Sequence, residues 1–163
     1  GGSIGGVVGS SWGTIENCSV SGSVSGTVYV GGVVGAQWGG SITGCSSSAT
    51  VKGMVDVGGV AGQTNSSATL TACYATGNVT STGSSTGNVY IGGFLGGNYT
   101  TVTACYWKNN QERGYKTAPE STKVDGTYVT WQKAVDAMNT ALQNAGSEWR
   151  YELNGALPTL RKQ

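Results

Sequence analysis

The sequence predicts an all-β protein, a parallel β-solenoid (β-helix) of about four coils with a small C-terminal α+β cap. Three observations predict it. An apolar residue, Gly-Gly, a short apolar pair and a closing Gly recur four times: Ile4 to Gly9 (IGGVVG), Val30 to Gly35 (VGGVVG), Val57 to Gly62 (VGGVAG) and Ile91 to Gly96 (IGGFLG). The opening glycines, Gly5, Gly31, Gly58 and Gly92, stand 26, 27 and 34 residues apart, a period typical of stacked repeats. The four cysteines, Cys18, Cys45, Cys73 and Cys105, keep phase with them, each 13 to 15 residues after its opening glycine.

The coils start near residues 4, 30, 57 and 91, and the solenoid is expected to occupy residues 1 to 107. Within a coil, an aliphatic stands three residues before each cysteine, Ile15, Ile42, Leu70 and Val102. Val24, Val51 and Val79 follow six residues after the first three cysteines. Before the next Gly-Gly, Val28 and Val30, then Val55 and Val57, then Val89 and Ile91, alternate with Tyr29, Asp56 and Tyr90, the period of a half-buried strand. Short β-branched strands with a period near 27 describe coils that stack about 4.8 Å apart, like residue over like residue. Gly9, Gly35, Gly62 and Gly96 are read as corners, where positive φ or close backbone approach is required. The longer third interval places an insertion at Thr80 to Asn88, read as a protruding corner loop.

The eight residues Cys18, Cys45, Cys73, Cys105, Ile15, Ile42, Leu70 and Val102 form the expected structural core ladder. Stacked cysteines held parallel at the coil spacing are poorly directed for a relaxed disulfide, so free buried thiols are expected. The ligands of a metal site converge from several directions; with no His in the chain, no metal or other cofactor is expected. Seven residues after each opening glycine stand Trp12, Trp38, Asn65 and Tyr99. This column is a possible ligand-contact strip on which a sugar ring would stack, or a packed corner. Thr14-Ile15-Glu16, Ser41-Ile42-Thr43, Thr69-Leu70-Thr71 and Thr101-Val102-Thr103 put hydroxyls on an outer strand face. Their stacking is similar to that of ice-binding solenoids, but two of the triplets break the Thr-x-Thr pattern and Thr is simply a good residue for the outer face of a strand, so ice binding is not expected.

Catalysis needs convergent acid, base or nucleophile, and the coils hold only Glu16, Asp56 and Lys52 as charged groups. No catalytic residue is assigned and no enzyme is expected. The formal net charge is +1 and most basic residues lie from Lys108 onward, so a nucleic-acid partner is not expected. No stretch reaches the roughly 20 apolar residues of a membrane span, so no membrane insertion is expected.

Residues 108 to 163 are read as the cap. Lys108 to Tyr128 is a polar connecting loop. Thr130 caps a helix with Trp131, Ala134, Val135, Met138, Ala141, Leu142 and Ala145 on one face, and Gly146 stops it. Trp149, Tyr151 and Leu153 then alternate, Asn154-Gly155 supplies a tight turn, and Ala156 to Leu160 returns as a second strand. The cap is expected to cover the open end of the stack. The first coil lacks the strand that should precede its Gly-Gly, so more chain is expected before it.

The four glycine elements, each followed by a cysteine-centred strand (NCSVSGSV, GCSSSATV, ACYATGNV, ACYW), resemble the GLUG motif of bacterial surface proteins over residues 1 to 107. WRYELNGALPTL is similar to the close of many such proteins. The resemblance implies an extracellular, cell-surface location and a non-catalytic repeat, as found in adhesins and outside the catalytic part of immunoglobulin A metallopeptidases. The chain has no HExxH zinc motif, so peptidase activity does not carry over. The partner expected is a glycan or protein of a host or neighbouring cell. A purely structural stalk is the alternative, and a polysaccharide-lyase-like enzyme the third.

Overall fold

The computed structural model describes residues 2–83, 90–97, 100–111 and 121–163. Each coil is a run of short strands. The first coil contributes β1 (Ile4–Gly5), β2 (Val8–Ser11), β3 (Thr14–Glu16), β4 (Ser19–Val20) and β5 (Ser23–Ser25). The second repeats them as β6 (Val30–Gly31), β7 (Val34–Gln37), β8 (Gly40–Thr43), β9 (Ser46–Ser47) and β10 (Thr50–Gly53). The third gives β11 (Asp56–Gly58), β12 (Ala61–Thr64), β13 (Ala68–Thr71), β14 (Tyr74–Ala75) and β15 (Val79–Ser81). The fourth gives β16 (Tyr90–Gly92), β17 (Leu95–Gly97), β18 (Thr101–Thr103) and β19 (Tyr106–Trp107). Corresponding strands pair in parallel, so the coils form five stacked sheets: β1-β6-β11-β16, β2-β7-β12-β17, β3-β8-β13-β18, β4-β9-β14-β19 and β5-β10-β15. The fold is the parallel β-solenoid that the period predicts, with the small C-terminal α+β cap.

Register follows the sequence ladders. Ile15, Ile42, Leu70 and Val102 lie over one another, as do Val24, Val51 and Val79, and Val30, Val57 and Ile91. The interior divides into two apolar compartments. One gathers Val33, Val34, Ile42, Val60, Leu70, Phe94 and the buried cysteines; the other holds Val24, Val30, Val51, Val57 and Val79.

The motif glycines serve close approach, and the corner reading needs a correction. Positive φ falls at Gly22, Gly40 and Gly44 in the coils, while none of Gly9, Gly35, Gly62 and Gly96 adopts it. Instead, the opening glycine of one coil faces the closing glycine of the next. A Cβ on Gly5 would stand 2.7 Å from Gly35 N, one on Gly31 2.7 Å from Gly62 N, and one on Gly58 2.6 Å from Gly96 N. Backbone meets backbone there, and only glycine fits. The strands before Gly-Gly are also shorter than the valine alternation predicts, for Val28 and Val55 precede them and are only half-buried.

Left-handed backbone recurs at a different position, the residue before each cysteine: Asn17 (φ 55°), Gly44 (62°), Ala72 (53°) and Ala104 (49°). These turns link the β3 row to the β4 row. The cap docks on their outer side.

The polar loop is more structured than expected. Thr122–Lys123 forms β20, which pairs in parallel with β19 as a fifth rung of the fourth sheet, and Lys123 Nζ sits 5.1 Å from the Trp107 ring centre. Just before it in the chain, side chains bond to the edge of a neighbouring sheet. Val79 lies in β15, the last strand of its sheet; Asn110 Oδ1 accepts from Val79 N at 2.8 Å and Asn110 Nδ2 donates to Val79 O at 3.0 Å. No strand pairs with the outer edge of β15 among the described residues, and one amide bonds there as a peptide group would. Gln111 Nε2 donates to the same carbonyl at 2.6 Å, and Asn109 Nδ2 to Gly93 O at 2.9 Å.

The cap helix α1 (Trp131–Asn144) begins as predicted, with Thr130 Oγ1 accepting from Lys133 N at 3.3 Å, and ends before Gly146 at φ 75°. Ala134, Val135, Met138, Ala141 and Leu142 are buried, whereas Ala145 is exposed. The helix packs with Ala72, Ala104, Tyr74 and Tyr106, so the cap seats along the flank of the coils. β21 (Trp149–Glu152) and β22 (Thr159–Lys162) pair antiparallel, with Glu152 opposite Thr159. Six residues therefore connect them, and Asn154-Gly155 is part of this wider loop rather than a two-residue turn. The loop is drawn inward, for Pro158 O accepts from Tyr74 OH at 2.5 Å. Tyr151 OH donates to Ala72 O at 2.8 Å and ties β21 to the same coil. No helix among the described residues is long and apolar enough to cross a membrane.

Candidate functional site

The outer face of the third sheet carries two side-chain columns. Thr14, Ser41, Thr69 and Thr101 form one; Glu16, Thr43, Thr71 and Thr103 form the other, in register from coil to coil. Strand alternation explains them: Ile15, Ile42, Leu70 and Val102 turn inward, so their neighbours face out. Because the backbone polar groups are engaged in the ladders, this face offers side-chain hydroxyls, each able to donate and to accept.

The cap turns this face into a groove of about 640 Å³. Its floor is Ser41, Thr43, Thr69 and Thr71, and the end of α1 with Gly146, Ser147, Glu148 and Trp149 forms the wall. Glu16 and Asn17 close it at the first coil. Trp149 is half-buried, and its backbone N–H donates to Ser147 Oγ at 3.1 Å, which fixes the turn leading into the strand. Glu148 carries an ion pair with Lys162 at 3.3 Å, both side chains largely in water. With this wall alongside, the hydroxyl columns are no open plane of the kind a crystal lattice would need.

The aromatic column reads differently. Trp12, Trp38 and Asn65 follow the paired residues Ser11, Gln37 and Thr64. Trp12 is 70% exposed, and Trp38 packs edge-on against Tyr29 with ring centres 5.6 Å apart. Asn65 is half-buried and its Oδ1 accepts from Ser67 N at 3.0 Å, forming a turn. Tyr99 lies outside the described residues, as do residues 84 to 89 of the expected insertion loop. Among the described positions, then, the column holds a free indole, a packed indole and a turn-forming amide.

In the core ladder, Cys45, Cys73 and Cys105 are buried and Cys18 partly so, all as free thiols. Each Sγ donates to the carbonyl two residues earlier, at 3.2 Å for Cys18, 3.5 Å for Cys45, 3.3 Å for Cys73 and 3.4 Å for Cys105. The left-handed residue just before each cysteine makes that short return possible. Burial raises the Cys18 thiol above its ordinary pKa; the Cys45 thiol is raised first by its hydrogen bond to Cys73 and then by burial. Ile15, Ile42 and Leu70 are buried beside them, while Val102 packs only partly.

Asp56 is a further departure. It was expected to alternate outward with Tyr29 and Tyr90, yet it is 6% exposed. Burial lifts its carboxyl to about 6. The Gln63 amide, oriented so that both its ends find partners, donates to Asp56 Oδ2 and to Gly97 O, each at 3.1 Å. Asp56 Oδ1 has no hydrogen-bond partner among the described residues. No group of three or more Cys, Asp or Glu side chains among the described residues is placed to hold a metal ion.

Sequence reasoning missed the groove. Glu16 and Trp149 are far apart in the chain and meet only because the cap lies on the flank. The available signal was Trp149 itself, a large aromatic next to Gly146-Ser147 at the end of a helix.

Comparison with known families agrees with the period of the coils. The model of the GLUG motif matches residues 1–25 and again 26–52, the first two coils in tandem. The first two coils carry the GLUG motif. The third and fourth GLUG-like coils lie outside both matches but pair in the same register as the first two. No curated protein and no solved structure matches the chain.

Proposed function

We propose that this chain is a non-catalytic repeat module of an extracellular bacterial surface protein, and that it serves adhesion by binding a glycan or protein in the groove between the GLUG coils and the cap. The observation that carries this reading is the groove itself. A regular hydroxyl floor, an indole and two carboxylates line a concave surface whose construction uses both parts of the chain. GLUG repeats as a non-catalytic module support the same reading, and the described coils bring no acid and base together.

The test is a combined glycan and protein array with the whole chain and its Trp149→Ala variant, together with thermal melts of both. Binding that is lost in the variant at an unchanged melting temperature supports adhesion through the groove. A stalk is the second reading, favoured by the glycine contacts that lock each coil to the next. Absence of binding on every array by a folded chain would select the stalk.

A further inference from the structure

Resting on the reading that the groove binds a ligand, we propose that the ligand is a linear, neutral polysaccharide of β-linked pyranoses lying along the stack, about one sugar to each coil. The hydroxyl columns run parallel to the stacking direction and repeat every ~4.8 Å, close to the advance of one pyranose in an extended glycan. Each successive sugar would therefore find a floor hydroxyl beside it, Thr43 and then Thr71, and because a hydroxyl both donates and accepts it can pair with either edge of the alternating rings. Ser and Thr hydroxyls serve as donor or acceptor, which suits sugar hydroxyls that do the same.

The wall supplies what the floor lacks. Trp149 offers an apolar face with a polar edge for the C–H side of a ring. Glu16 and Glu148 each present two acceptor oxygens to neighbouring sugar hydroxyls. Charge selects among polysaccharides: Glu148 is already paired with Lys162, so it gives a cationic chain little advantage, and Glu16 repels an acidic one. A peptide is disfavoured by the same geometry, because strand addition needs free backbone N–H and C=O groups, and those of the floor strands are spent in the inter-coil ladders. The groove takes its lining from the first three coils, so a trisaccharide fills it.

Calorimetric titration with cello-oligosaccharides of one to six sugars tests this. Affinity should tighten by roughly threefold or more for each sugar up to the third and level off beyond the fourth. Trp149→Ala should weaken cellotriose by at least about tenfold, and Thr43→Val with Thr71→Val by a similar factor, with unchanged melting temperatures for both variants. A flat affinity from glucose to cellohexaose, or binding indifferent to these substitutions, would overturn the proposal, as would tighter binding to an oligogalacturonate of the same length. If the array finds a protein ligand that Trp149→Ala abolishes while no oligosaccharide binds, the linear glycan is wrong and the groove stands. If nothing binds at all, both fall.

Discussion

Replacing Asp56 by Asn should remove a pH dependence of stability that the wild-type chain carries near neutrality. The carboxyl is 6% exposed on the first strand of the third coil, and burial moves its pKa from the ordinary 3.8 to about 6. The folded state therefore holds the proton more tightly than the unfolded chain. Stability from this group is complete below about pH 4 and is lost as pH rises through 6. The gap corresponds to at most about 3 kcal/mol. Solvent reaching the carboxylate screens part of it, and halving gives ~1.5 kcal/mol. About 1 kcal/mol of that falls between pH 4.5 and pH 8, equivalent to roughly 2 to 4 °C in melting temperature for a chain of this size. The assay is a pair of circular-dichroism melts at those two pH values for wild type and Asp56→Asn. The wild type should lose those degrees at pH 8 relative to the variant, whatever the absolute cost of the amide. An equal pH response in both proteins would refute the assignment of the effect to Asp56.

Other consequences are equally accessible. Asn110→Ala leaves the Val79 N–H without its acceptor, while the C=O keeps the bond from Gln111 Nε2, and should cost about 1 to 3 kcal/mol in urea unfolding, with faster hydrogen exchange at the Val79 amide. Gly62→Ala pushes a Cβ to 2.6 Å from Tyr29 C and 2.7 Å from Gly35 O; backbone cannot yield as a side chain does, and a loss of more than about 4 kcal/mol or outright failure to fold is expected on expression and melting. Gly44→Ala, at φ 62° but with alanine already tolerated at the same turn in the third and fourth coils, should cost only about 1 kcal/mol by denaturant titration. Under native conditions a thiol reagent should label Cys18 slowly and leave Cys45, Cys73 and Cys105 unmodified, while all four should react in urea, because the packed coils keep the reagent from the three buried sulfurs.

The stack was legible because stacking repeats chemistry: a residue read once, such as Ile15, is read again at Ile42, Leu70 and Val102. The helix was equally clear, with Thr130 to start it and Gly146 to stop it. What escaped were features set between distant segments. Nothing local distinguishes the glycines that bear positive φ, Gly22, Gly40 and Gly44, from Gly35 or Gly62, whose lack of a side chain is demanded by a neighbouring coil. Asp56 occupies the polar slot of an alternating strand, and its burial depends on Gln63 and Gly97 in other strands. The seat of the cap is set by Tyr74 and Tyr151 reaching across the molecule to Pro158 and Ala72, so the groove that it walls could not be drawn from either part alone. Asn109 to Gln111 looked like ordinary loop composition, since an amide that mimics a peptide group has no sequence signature.

That last device bears on how a ladder of parallel strands can be brought to a halt. An unpaired strand edge is an open template for any other chain in the extended state, and covering it usually takes a helix or a folded-over segment. Here Asn110 answers the exposed N–H and C=O of Val79 with one side chain. Placed after the last full coil of a designed repeat array, an Asn so positioned would satisfy one N–H and one C=O of the terminal strand where there is no room for a larger closing element.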